Sequence, residues 1–124
     1  MGLEQIRKSA DTASSGKKSG LPAGEVFNPG NMVEYGENAI VSRTLINNDA
    51  GTVTLFAFDE GQGLSEHTAP FDALVHIVEG EGEVIIAGNA SRVGAGEFIL
   101  MPANVPHALN ANVRFKMILT MLRK

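Results

Sequence analysis

The sequence predicts one all-β domain, an antiparallel sandwich or barrel, on three observations. Six short runs, NAIVSRTLI, TVTLFAF, ALVHIV, EVIIA, EFILM and VRFKMILTML, are each of strand length and rich in β-branched or aromatic residues. The breaks between them, NNDAG, DEGQG, EGEG, AGNAS, VGAG and PANVP, carry the Gly, Asn, Asp and Pro that supply positive φ or preset turn geometry. From Val26 onward nothing sustains a helical period beyond a turn or two. Many short strands at near-regular spacing argue for a closed or double-layered antiparallel architecture.

Composition narrows the function. A chain of 124 residues that is 44% hydrophobic is long enough for one compact domain and too short for two ordinary ones. Ten Lys and Arg against 14 Asp and Glu give a net charge of -4, with no dense basic cluster, so neither nucleic acid nor a membrane surface is expected as a partner. The absence of cysteine excludes disulfides, thiolate metal sites and a cysteine nucleophile. No stretch reads as a secretory leader or a membrane span, and a cytoplasmic location is expected.

Along the chain, KSADTASSGKKSGLPAG (8–24) is rich in Ser, Gly, Ala and Lys and holds little that favours ordering a backbone. Residues 1–25 therefore read as a flexible N-terminal arm and 26–124 as the barrel domain, with Leu3 and Ile6 in a frayed terminus. NAIVSRTLI and TVTLFAF read as two strands joined through NNDAG. ALVHIV and EVIIA read as separate strands, with tight hairpin turns at GEG (80–82) and GNAS (88–91) and no following helix to make either a phosphate loop. In the last run, Val113, Phe115, Met117, Leu119 and Met121 share one face, which points into a core or cavity. The opposite face starts wet at Arg114 and Lys116 and becomes apolar at Ile118, which would suit contact with a partner subunit.

Two segments resemble the paired motifs of the cupin superfamily. The first motif reads Gly, five residues, His-x-His, three or four residues, Glu, six residues, Gly; here Gly61, His67, Ala69, Ala73 and Gly80 occupy those positions. The second reads Gly, five residues, Pro-x-Gly, two residues, His, three residues, Asn; here Gly96, Pro102, Asn104, His107 and Ala111 stand there. The resemblance covers roughly residues 26 to 122 and implies a small, single-domain conserved-barrel cupin of the cupin 2 type. Its fold would be a cupin jelly-roll barrel, a double-stranded β-helix of antiparallel sheets. Cupins of this size commonly dimerise through the outer sheet, and covering edge strands gives a physical reason to expect a homodimer.

The family's three histidines and one glutamate form a mixed nitrogen and oxygen site for Mn, Fe, Ni, Zn or Cu. This chain keeps one ligand from each motif, because alanine at 69 and 73 removes one imidazole and the only carboxylate. Two protein ligands are fewer than the three usual in catalytic zinc sites, and the facial triad of non-haem iron lacks its carboxylate. What remains is a degenerate site at His67 and His107 that is empty of metal or holds a divalent ion (Zn, Ni, Mn or Fe) weakly, with water or a chelating ligand.

His76 lies an odd offset from Ala73 and should face outward unless a bulge intervenes. Glu66 should point away from His67, Asp72 should be solvated, and Glu97 should serve a turn and strand edge. His67 and His107 occupy converging motif positions, so they are expected to share a pocket, with Phe71, Met101 and Met117 as its apolar wall. Two such imidazoles could bind an anionic or enolic ligand or exchange protons with it. The expected function is small-molecule binding or sensing. The alternative is a metal-dependent enzyme of isomerase, lyase or dioxygenase type using the same histidines, and whether the chain is an enzyme at all stays open.

Overall fold

The structure, a computed structural model, describes residues 21–123; most of the expected arm, residues 1–20, lies outside the described residues. A 3-10 turn, Pro29–Asn31, precedes eight strands: β1 (Ile40–Asn48), β2 (Gly51–Phe58), β3 (Gly63–His67), β4 (Asp72–Ile86), β5 (Asn89–Gly94), β6 (Phe98–Met101), β7 (His107–Asn110) and β8 (Phe115–Leu122). All strand pairs are antiparallel. One curled sheet runs β1-β2-β8-β4-β6 and the other runs β3-β7-β4-β5, so β4 belongs to both. This is the antiparallel jelly-roll arrangement that the motif resemblance implies.

The shared strand corrects the reading of GEG as a hairpin turn. Gly80-Glu81-Gly82 lies inside the 15-residue β4, which bends from one sheet into the other after a register shift between Ile77 and Glu79. Gly80 has φ +78°, and a Cβ there would lie 2.3 Å from the Arg114 carbonyl oxygen. Only glycine lets β4 bend this close to β8. The turn at AGNAS is real: Ile86 pairs with Asn89, and Ala87 and Gly88 carry the positive φ of a two-residue hairpin.

Side chains alternating inward fill the space between the sheets. Phe58, Val75, Ile77, Val84, Phe115 and Met117 are all fully buried, and Phe58 stacks on Phe115 at 4.5 Å. Each such side chain contributes roughly 1.5–3 kcal/mol by leaving water. Val113, expected on this inner face, is 47% exposed and precedes β8, because the chain is still turning before pairing begins at Phe115.

Residues 21–39 form no strand and instead cover part of the outer face. Val33 packs with Leu45, Leu55 and Ala57, and Leu21, Met32, Tyr35 and Ile118 lie against them. This cover is why Lys116, expected at a wet end, is only 7% exposed. Its Nζ donates to the Gly30 carbonyl at 2.6 Å and lies 3.7 Å from Glu79, which accepts from the Tyr35 hydroxyl at 2.7 Å. Arg114 sits 4.3 Å over the Tyr35 ring and pairs with Asp59 at 3.2 Å. The clamp holds the leading segment onto β8. Burial and the Glu79 contact push the Tyr35 hydroxyl pKa well up.

Candidate functional site

His67 ends β3 and His107 begins β7, and the two residues are direct cross-strand partners. That placement depends on an irregularity. Leu64 is buried and His67 is three residues on, an odd offset that would turn its ring outward in a regular strand. The register shift between Leu64 and His67 inserts one extra residue in β3 and returns His67 to the inner face. His107 needs no such device, since it shares its face with Leu109 two residues later, and both are buried. The rings lie edge to face with centroids 4.4 Å apart.

Each imidazole is held from behind by the carbonyl two residues earlier in the chain. His67 Nδ1 contacts the Ser65 carbonyl at 2.8 Å, and His107 Nδ1 contacts the Val105 carbonyl at 3.2 Å. The other nitrogen of His67, Nε2, is buried with no hydrogen-bond partner among the described residues. Desolvation lowers the His107 pKa; the Val105 bond opposes this, and the neighbouring His67 adds to it.

The loops that bring the histidines together also join the two sheets. The loop from His67 to β4 and the loop from β6 to His107 are tied by Asn104 N–H donating to the Ala69 carbonyl at 2.7 Å. Asn104 stands where the motif has glycine and adopts φ +65°, a conformation that asparagine tolerates better than most residues. Asp72, expected to be solvated, accepts a hydrogen bond from the Ala103 N–H at 2.9 Å and so positions the same loop. Glu97 serves its turn, accepting from Gly94 N–H at 2.8 Å.

Of the expected apolar wall, Met101 and Met117 are buried in the main core, while Phe71 is half-buried in the loop after His67. Ala73, at the family's carboxylate position, pairs with Met101 on one side and Met121 on the other. His76 lies on the outer face, stacked 4.1 Å from Phe98, and the β4 irregularity falls after it.

The donor set tests the fit of a family-type metal. Carbonyl-held Nδ1 groups are the usual support for metal-binding histidines. Yet among the described residues no group of three or more His, Cys, Asp or Glu could hold an ion, and Ala73 is flanked by thioethers where a carboxylate would stand. Two imidazoles without an oxygen ligand do not fit the mixed site of the family.

A family model described as a cupin domain matches residues 54–121, a span containing both histidines and strands β3 to β7 with most of β2 and β8. The chain is a cupin. It is 34% identical to a conserved protein of unknown function from Streptococcus pyogenes, with TM-score 0.80, over 84% of this chain and 91% of that one. A cupin superfamily protein from Desulfitobacterium hafniense is 27% identical, with TM-score 0.79, over 86% and 97% of the two chains. A cupin 2 conserved barrel domain protein from Leptotrichia buccalis is 39% identical, with TM-score 0.76, over 78% of this cupin and 47% of that chain. Among curated proteins none matches. No described helix of this cupin is long and apolar enough to cross a membrane.

Proposed function

We propose that this cupin binds a small molecule at the end of its barrel, with His67 and His107 as polar anchors and Phe71, Met101 and Met117 along the apolar wall. The observation that carries the reading is the cross-strand histidine pair, ring centroids 4.4 Å apart, with a buried Nε2 on His67 that has no partner among the described residues. Buried polar atoms are nearly always hydrogen-bonded, and one left open at a paired site marks a place where something else bonds. The surroundings suit a ligand with few polar groups.

The second reading is a metal-dependent cupin enzyme, favoured by the carbonyl support behind both rings. Metal analysis of protein purified without chelator, beside the His67→Ala, His107→Ala double variant, separates the two. Equal trace metal in both proteins supports the metal-free pocket. Stoichiometric Zn, Ni, Mn or Fe in the parent that is lost in the variant overturns it in favour of the enzyme.

A further inference from the structure

Resting on that reading of the pocket, we propose that Thr52 is its second polar anchor. The ligand is then an apolar body with a polar group at each end, one bonded by the histidines and the other, a neutral hydroxyl, carbonyl or amide, by the Thr52 hydroxyl. Two buried side-chain polar atoms lack a hydrogen-bond partner among the described residues: His67 Nε2 and Thr52 Oγ1. On β2, Thr52 shares the inner face with Phe56 and Phe58 of the main core and is only 5% exposed. It pairs with Met121 of β8, Met121 pairs with Ala73 of β4, and Ala73 pairs with Met101 of β6, so the four form one inward-facing row. The row lies at the histidine end of the barrel: β3 ends at His67 and leads into β4 just before Ala73, while β6 ends at Met101 and leads to His107.

The two orphaned atoms therefore stand on opposite sheets at one end of the fold. A buried hydroxyl without a partner destabilises a protein, and nothing among the described residues bonds this one, so its partner comes from outside. Neighbouring strands lie about 4.8 Å apart, which puts Thr52 roughly 10 Å from Ala73, two strands away, the reach of one ring substituted at both ends. The thioethers of Met121 and Met101 on either side of Ala73 favour an aromatic body. The row holds no charged side chain, and a hydroxyl both donates and accepts, so the group at the Thr52 end is neutral.

The test titrates the full chain with 1,4-benzenedimethanol and with 4-methylbenzyl alcohol, which lacks the second hydroxyl, and follows the ring resonances of His67 and His107. Both compounds should move those resonances. The diol should bind about three- to tenfold more tightly than the mono-alcohol in the parent and in Thr52→Ser, with no such preference in Thr52→Val. Without ligand, Thr52→Val should unfold at a higher urea concentration than the parent, because it loses an unpaired hydroxyl and keeps the shape. A urea midpoint for Thr52→Val at or below the parent's, or the same preference in Thr52→Val as in the parent, would overturn the second anchor while leaving the histidine pocket in place. So would a parent with no preference, the result expected if a trapped water bonds Thr52. If neither compound moves a histidine resonance, the anchor and the pocket reading both fall.

Discussion

Replacing Gly80 with alanine should destabilise this cupin by about 3–4 kcal/mol, and the magnitude follows from three parts. Holding a Cβ-bearing residue at φ +78° costs roughly 1–2 kcal/mol. The new Cβ would also lie 2.3 Å from the Arg114 carbonyl oxygen and 3.0 Å from Phe115 Cα, which real contacts do not tolerate. Relief requires β4 and β8 to part where Gly80 pairs with Phe115, losing a ladder hydrogen bond worth about 1 kcal/mol. The Phe58–Phe115 stack, worth about 0.5–1.5 kcal/mol, would be disturbed as well. Gly96 is the control: its φ is +86°, but a Cβ there meets nothing within 4 Å, so Gly96→Ala should cost only the first part. Urea unfolding reads the difference as a midpoint for Gly80→Ala about 1 M below that of Gly96→Ala. Two variants with the same midpoint would refute the idea that β4 bends against β8 at this residue.

Stability should also depend on pH. The folded His107 pKa lies below its ordinary value of 6.5, so the unfolded chain binds more protons in that window. The contribution is complete above about pH 6.5 and is lost as pH falls through the folded value; urea midpoints from pH 5 to 8 should rise, and His107→Gln should flatten that rise. Lys116→Met keeps the buried stem but removes the bond to Gly30, and should cost about 1–2 kcal/mol in the same assay, with an unchanged midpoint as the contrary result. On the outer face, Leu74, Phe98 and Leu100 are exposed, Phe98 stacks on His76, and β6, which carries Phe98 and Leu100, pairs only with β4 among the described residues. We propose that a second copy of the chain covers them; light scattering should give a dimer for the parent and a monomer for Phe98→Asp, and a parent monomer at micromolar concentration would contradict this.

Much of the barrel was legible in the sequence because each strand carries its own pattern and the motif glycines fall where the backbone needs positive φ, at Gly61, Gly80 and Gly96. The β4 bend was not, since two glycines inside an apolar run read equally as a turn or as a close approach of two strands. Nor was the cover provided by residues 21–39, whose value lies in scattered contacts such as Lys116 with Gly30 rather than in any period. At the site, spacing pointed to His67 and His107. It could not show that a single extra residue in β3 turns His67 inward, because a bulge leaves no local signature. The carbonyl contacts behind the two rings were equally hidden, since any residue at 65 or 105 would supply them.

The most direct test of the central claim is the electron density between His67 and His107 in crystals grown from chelator-free protein. The account predicts light-atom density hydrogen-bonded to both Nε2 atoms, with no anomalous signal at transition-metal edges. An anomalous peak about 2.0–2.2 Å from both nitrogens would contradict it and place a metal at the heart of the barrel.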